Sequence, residues 1–180
     1  MQRPWNDWYH CICTTYGTWL LGDPRGFRTR HHRFHCDGDY KSPPPTGTFD
    51  RLYRRSLKLM KRPPVHLKPD QIPVILYKFV NSFQKRRIEL IVASLDDHHL
   101  HLLARFPDHR PRHWLGIAKK ESAFGSGGLW AVRSKIGVIR DRRHQVAVAK
   151  YIWRQGAARW RVPPKRPGNV SSDFGHLAGV

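Results

Sequence analysis

The sequence predicts an α+β fold: an antiparallel sheet with two helices on one face, a ferredoxin-like layout, and an additional C-terminal helix that bears Tyr151. Two observations predict this class. The predicted elements follow the order β, insertion, α, β, β, α, β, α, which is typical of a split βαβ sheet with one helix left over. The 180 residues are 39% hydrophobic, which is enough for one domain with a core.

The chain begins with a predicted strand and continues into a long insertion. Residues 8–16 are rich in β-branched and aromatic side chains, and Gly17 ends the run. From 17 to 64 the periodicity is lost among proline and glycine turns and clustered basic residues. We therefore expect a basic insertion, with a short helix around 49–59.

Regular structure is predicted to resume near Asp70, a candidate helix N-cap. Apolar residues from Ile72 to Phe83 recur at i, i+3, i+4, i+7, i+8 and i+11, which indicates one face of an amphipathic helix. The run 88–95 is almost entirely apolar at both its odd and its even positions, so both faces of a strand here would be apolar. That pattern predicts a central strand covered on both faces.

The remaining predicted elements complete a single domain, 1–156. They are a turn at 96–98, a strand at 99–106, a helix at 111–124, a strand at 129–139 and a helix at 141–155. Asp141 is the expected N-cap of the last helix, and Gly156 takes the favoured position after its end. Residues 157–180 are broken by proline and glycine, and they predict a basic, flexible tail.

The composition is strongly basic. The chain has 33 Lys and Arg against 13 Asp and Glu, a formal net charge of +20, which predicts a polyanionic partner. No apolar stretch approaches the roughly 18 residues of a membrane helix, and the N-terminal residues lack the apolar core of a secretion signal. We therefore expect a cytoplasmic, nucleoid-associated protein with no membrane partner. The 3 cysteines are an odd number, and a disulfide framework is not the basis of the fold.

The predicted strand 99–106 carries two histidines on one face. Because side chains alternate along a strand, Leu100 and Leu102 share the core face with Ala104 and Phe106. His99 and His101 share the opposite face with Leu103 and Arg105. Two neighbouring imidazoles form half of a metal site, although such pairs are also common on half-exposed strands that bind no metal.

Tyr151 and Gln155 are four residues apart on the last predicted helix, one turn apart on the same side. A tyrosine hydroxyl can act as a nucleophile on phosphorus, and a glutamine carbonyl can complete a divalent-metal site formed by two histidines. The alternative is that Tyr151 anchors the helix in the core and that Gln155 is a surface residue. Periodicity alone favours this alternative.

Together, these two motifs resemble those of the HUH-type single-tyrosine transposases, a group that includes the REP-associated tyrosine transposases. In that family a His-hydrophobic-His motif lies on a central strand and a Tyr-x-x-x-Gln motif on a late helix. His99–Leu100–His101 and the segment 151–155 match them in the same order. The resemblance covers 8–16, which is similar to the family's first strand, and about 70–155.

The resemblance implies an enzyme that cleaves and rejoins single-stranded DNA at hairpin ends through a 5′-phosphotyrosine intermediate. Tyr151 would be the catalytic nucleophile. His99, His101 and Gln155 would hold Mg²⁺ or Mn²⁺, which stabilises charge on the scissile phosphate. Members of the family form homodimers in which the tyrosine helix can serve the metal site of the partner.

Basic and aromatic residues provide candidate DNA contacts. The candidate phosphate-binding residues are Arg105, Lys119, Lys120, Lys150 and Arg154. The candidate stacking residues are Trp114, Trp130, Trp153 and Trp160. Lys150 and Arg154 flank the tyrosine; alternatively they form a solvated helix face.

Two other functional classes stay open on the sequence. One is a domesticated, non-catalytic nucleic-acid-binding protein of the same fold. The other is a zinc protein built on Cys11, Cys13 and Cys36 with histidines at 31, 32 or 35, although the Cys-x-Cys spacing matches no strong zinc signature.

Overall fold

The computed structural model describes residues 3–25, 27, 45–123, 128–162 and 177–178. A 3₁₀ turn at Trp5–Asp7 precedes the first strand. The helices are α1 (Asp50–Lys58), α2 (Gln71–Gln84), α3 (Pro111–Ser122) and α4 (Arg142–Trp153). The strands are β1 (Trp8–Thr15), β2 (Leu90–Leu95), β3 (His99–Arg105), β4 (Trp130–Val138), β5 (Ala158–Arg161) and β6 (Leu177–Ala178). The α+β class is confirmed.

The strands form one antiparallel sheet in the order β4-β1-β3-β2-β5-β6. His101 on β3 lies opposite Ile12 on β1 and opposite Ser94 on β2. Paired residues in an antiparallel sheet point to the same face. These three residues therefore form one row across the middle of the sheet, on the face that carries the histidines.

Helices α2 and α3 pack together and cover the face opposite the histidines. Phe79 on α2 meets Trp130 with ring centroids 5.7 Å apart, and Phe83 meets Phe106 at 5.8 Å. Leu100 and Leu102 on this side of β3 are fully buried. The alternation predicted for β3 is therefore confirmed.

Helix α4 covers the histidine-bearing face. Val148 and Ile152 of α4 pack in one cluster with Val92 and Leu103, together with Trp8 and Ile139. Both faces of β2 and β3 are thus covered by helices, as the doubly apolar run 88–95 predicts. Each Å² of apolar surface buried contributes about 25 cal/mol of stabilising free energy, so this cluster holds α4 against the sheet.

The prediction that 157–180 is a flexible tail is wrong for 158–161, which form β5. Ala158 pairs with Leu95 and Trp160 with Ala93, which extends the sheet beyond β2. Gly156, at φ 77°, makes the turn from α4, and Ala157 N then donates to Leu95 O at 2.9 Å. A strand of four residues gives too few alternations to be recognised against its Pro/Gly-rich context.

The helix ends differ in part from prediction. Asp141 caps α4 as predicted, because its side chain accepts from His144 N at 2.7 Å. Asp70 precedes α2 but makes no side-chain cap hydrogen bond; Gln71 Oε1 instead accepts from Lys68 N at 3.0 Å.

Gly17–Val65 forms a compact unit of its own, apart from the unit that comprises Met1–Tyr16 and His66–Val180. Helix α1 lies in it, close to the short helix that the sequence predicts. Asp23 is 1% exposed and pairs with Arg25 at 2.7 Å. Among the described residues, no helix has the length and apolar character needed to span a membrane.

Candidate functional site

The two histidines of the HUH-like motif lie at the start of β3, on the face that α4 covers. His101 is only 6% exposed, and His99 is partly buried. Their ring centroids are 5.3 Å apart. The structure therefore brings together the pair that the sequence predicts, in a more enclosed setting than a half-exposed strand.

A third imidazole joins this pair from β1. His10 Nε2 lies 3.3 Å from His101 Nδ1, and the two rings stack with centroids 5.5 Å apart. His10 lies outside the two sequence motifs that predict the site. Strand alternation in β1 places His10 on one face with Trp8 and Ile12. The sequence does not show that β1 pairs directly with β3, which is what brings His10 to His101.

Tyr151 stands beside this histidine cluster within the same chain. Its ring centroid lies 5.6 Å from that of His101 and 6.1 Å from that of His10, edge-to-face in both cases. Its side chain is 47% exposed, while the next residue, Ile152, is fully buried. The alternative that Tyr151 anchors the helix in the core is therefore excluded, because its ring lies at the edge of the contact between α4 and the sheet and is open to solvent.

Asp96 holds His99 in place. Asp96 Oδ2 lies 2.5 Å from His99 Nδ1, and Oδ1 accepts from the backbone N of His98 at 2.9 Å and of His99 at 2.7 Å. Burial acts to raise the pKa of Asp96, but these hydrogen bonds outweigh it and hold the pKa at about 2. Since Nδ1 of His99 faces the Asp96 carboxylate, Nε2 is the nitrogen that points away from it and can bind a ligand.

Burial keeps two of the imidazoles neutral. It lowers the pKa of His10 to about 4, with Lys135 and His144 adding to the effect. It lowers the pKa of His101 to about 4 as well, with the neighbouring His10 next in size. Neutral imidazoles are the form that binds metal ions.

The side chains present fit a divalent ion at His99 and His101. Nδ1 of His99 lies against Asp96 and Nδ1 of His101 lies against His10, which leaves Nε2 of each ring for an ion. Ser94 Oγ, in the same row as His101, is buried and has no hydrogen-bond partner among the described residues. A buried hydroxyl without a partner is costly, and a ligand beside His101 would satisfy it.

Gln155, the predicted third ligand, lies just beyond the end of α4. Helix α4 ends at Trp153, so Gln155 lies beyond its last residue. The final turn tightens, with Arg154 N donating to Tyr151 O and Gln155 N to Ile152 O. The predicted end of this helix, residue 155, is therefore two residues too late, and the role of Gln155 as a metal ligand stays a prediction.

The candidate DNA-binding residues separate into three groups. Lys119 is 8% exposed and its Nζ donates to Ala131 O at 2.8 Å, so the prediction that it binds phosphate is wrong. Arg105 lies at the far end of β3, where it pairs with Glu89 at 2.8 Å. Three candidates are exposed: Lys120, Lys150 and Arg154.

The candidate stacking tryptophans are also partly corrected. Trp130 and Trp160 are 7% and 4% exposed, so neither presents a ring to a base. Trp114 donates its Nε1 hydrogen to Asp108 at 2.7 Å. Trp153 lines a cavity of about 290 Å³ with Lys150 and Arg161, and the guanidinium of Arg161 lies 4.9 Å from its ring centroid.

The cysteine zinc hypothesis is not supported by the two cysteines that are described. Cys11 and Cys13 are fully buried in β1, and burial raises the pKa of both thiols. Cys13 Sγ lies 3.3 Å from Ser134 Oγ. The other residues of that hypothesis, Cys36 and the histidines at 31, 32 and 35, lie outside the described residues.

Acid is expected to destabilise the protein through the buried imidazoles. Their pKa is 6.5 when exposed and about 4 when folded, so protons bind preferentially to the unfolded chain between these values. The stability present above pH 6.5 should fall as the pH falls toward 4, by on the order of 3 kcal/mol per histidine. Urea unfolding of metal-free protein at pH 7 and 4.5 measures this.

His10→Gln should reduce this loss, whereas His113→Gln, a change to an exposed histidine, should leave it unchanged. An equal loss in the His10→Gln variant and the wild type would show that this imidazole is not the origin.

Comparison with known proteins adds one similarity. No protein-family model matches the chain, and no curated protein is similar to it. A solved structure described as a REP-associated tyrosine transposase bound to a REP hairpin is similar over 85% of this chain and 68% of that chain, with 11% identity and a TM-score of 0.49. A hypothesis for the function therefore depends on the side chains of the site.

Proposed function

We propose that this protein is a metal-dependent, single-tyrosine transposase that cleaves and rejoins single-stranded DNA from a ferredoxin-like sheet. The observation that carries the proposal is the position of Tyr151, whose ring lies 5.6 Å from that of His101 and is 47% exposed. An accessible hydroxyl beside neutral imidazoles that can bind a metal ion is an arrangement that supports nucleophilic attack on phosphorus.

Tyr151 is the proposed nucleophile. Its phenol oxygen attacks a backbone phosphorus and the bond from phosphorus to O3′ breaks, which leaves a 5′-phosphotyrosine and a free 3′-hydroxyl. The proton lost by the phenol is balanced by the proton gained by O3′. The number of phosphoester bonds does not change, so the reverse reaction with another 3′-hydroxyl rejoins the strand without ATP.

His99 and His101 are the proposed ligands of Mg²⁺ or Mn²⁺, each through Nε2. Such an ion polarises the scissile phosphate and neutralises charge that develops on its oxygens. Asp96 fixes the ring orientation of His99, and His10 does the same for His101. Gln155, two residues beyond the end of α4, is the proposed third ligand.

The charge of the chain supports DNA as the partner. With a formal net charge of +20, the protein attracts a polyanion at long range. Exposed Lys150 and Arg154 flank Tyr151 and are the proposed contacts to the attacked strand, with Lys120 on another surface. Hairpin ends as substrate, a homodimer and a place in the nucleoid are further parts of the proposal that come from the motif resemblance.

A second candidate is a nucleic-acid-binding protein of the same fold that does not cleave. The observation that favours it is the early end of α4, which leaves Gln155 outside the helix. This candidate predicts salt-sensitive DNA binding without cleavage in any metal.

Metal removal distinguishes the two candidates. Incubation with labelled single-stranded hairpin DNA and Mn²⁺ should give a covalent adduct stable in denaturing gels, and EDTA should prevent it because the phosphate is then not polarised. DNA retention in a filter assay should persist in EDTA. Binding in both conditions with no adduct in Mn²⁺ or Mg²⁺ would support the non-catalytic candidate.

A further inference from the structure

A second group of imidazole and carboxylate side chains lies at the turn between β2 and β3. His66 Nδ1 is 3.1 Å from Asp97 Oδ2, and His98 Nδ1 is 2.5 Å from Asp97 Oδ1. The three side chains can each offer one ligand atom, and these atoms lie within 4.8 Å of one another. The mechanism above uses none of the three.

The backbone holds these residues together. Leu67 N donates to Asp97 O at 2.7 Å, which places His66 beside the turn although it is 31 residues earlier in the chain. Thr15 N donates to His98 O at 2.8 Å, which ties the turn to the end of β1. Backbone hydrogen bonds therefore hold in place the segments that carry the three candidate ligand side chains.

Asp97, rather than Asp96, is the carboxylate available to a ligand. Asp96 Oδ1 accepts two backbone hydrogen bonds and Oδ2 lies 2.5 Å from His99 Nδ1, so both oxygens of Asp96 already have partners. His98 Nδ1 is 3.6 Å from Asp96 Oδ1 but 2.5 Å from Asp97 Oδ1. The described contacts of the Asp97 carboxylate are with the imidazoles of His66 and His98.

We propose that His66, Asp97 and His98 form a Zn²⁺ site, separate from the His99 and His101 pair. Two imidazoles and one carboxylate are a donor set typical of zinc. With bonds of about 2.0–2.1 Å, adjacent ligand atoms of a tetrahedral site lie roughly 3.3 Å apart. His66 Nδ1 lies 3.1 Å from Asp97 Oδ2, close to this spacing. His98 Nδ1 lies 2.5 Å from the other oxygen, Oδ1, so the ion would bind both oxygens of Asp97, with the His98 ring moving away by less than about 1 Å.

The site is open to an ion from solvent, because the side chains of His66 and Asp97 are 57% and 50% exposed. Bound zinc would fasten residue 66 to the turn at Asp97. It would also fix His98, whose ring stacks on that of His99 at 3.9 Å. This inference does not depend on the proposed function.

Cobalt titration tests the site. Metal-stripped protein is titrated with Co²⁺, whose visible absorption reports tetrahedral coordination, and Zn²⁺ is then added as competitor. We expect a band that Zn²⁺ displaces, and His66→Asn should weaken the apparent zinc affinity by at least about tenfold. Asp97→Asn, which is nearly isosteric, should have the same effect. His109→Asn is the matched control, since its side chain is 56% exposed, and it should behave as wild type.

Two further variants separate this site from the proposed catalytic one. Tyr151→Phe and His101→Gln should keep the band, because neither residue contributes a ligand to it. Equal zinc affinity in wild type and in both the His66→Asn and Asp97→Asn variants would overturn the proposal. A band lost in His101→Gln but kept in His66→Asn would do so too, by assigning the ion to the other pair.

Discussion

Tyr151→Phe is expected to abolish the covalent protein–DNA adduct and to leave folding and DNA binding unchanged. The substitution removes only the hydroxyl, and the phenyl ring keeps its edge-to-face contacts with His10 and His101. Loss of a nucleophile removes the covalent step itself, so adduct formation should fall by more than about a thousandfold. Denaturing gels of Mn²⁺ reactions measure the adduct, and urea unfolding measures the stability.

Tyr77→Phe is the matched control for this change. Tyr77 is 54% exposed on α2, across the sheet from the histidine cluster. It should form the adduct at the wild-type rate. An adduct that persists in Tyr151→Phe would disprove the assignment of the nucleophile.

Ile152→Ala is expected to have the largest effect on stability. Ile152 is completely buried, with 0% of its surface exposed, and it packs with Val92 and Leu103 where α4 meets the sheet. Truncation of such a side chain costs roughly 2–5 kcal/mol through lost transfer energy and the cavity that remains. Urea unfolding at pH 7 measures the loss.

The same variant should also form less adduct, because a loosened α4 no longer holds the adjacent Tyr151 beside His101. Val146→Ala on the same helix is the control, since Val146 is 37% exposed and should change the stability by less than about 0.5 kcal/mol. Equal stabilities for the two variants would mean that α4 is not seated on the sheet as described.

Periodicity predicted the parts of the fold that repeat over many residues. The apolar stripe from Ile72 to Phe83 indicated α2, and the alternation from Leu100 indicated both faces of β3. Asp141 and Gly156 marked the ends of α4 to within two residues. Each of these patterns lies within one short segment, so it can be recognised without knowledge of which segments pair in the fold.

The parts that were missed depend on pairing between distant segments. His10 joins the site because β1 lies beside β3. Lys119 is buried with its ammonium group donating to the carbonyls of β4, a contact that the sequence does not show. β5 exists as a strand because β2 offers it an edge. Helix α4 ends at Trp153, before Gly156, whose φ of 77° turns the chain toward that edge.

The central claim is that Tyr151 becomes joined to DNA beside the histidine pair. Trypsin cleaves after Lys150 and Arg154 and releases the peptide 151–154, Tyr-Ile-Trp-Arg, which contains a single tyrosine and no serine or threonine. After the Mn²⁺ reaction and nuclease trimming, mass spectrometry should find a phosphate-linked nucleotide on this peptide. A nucleotide on a different tyrosine peptide, with 151–154 unmodified, would contradict the account.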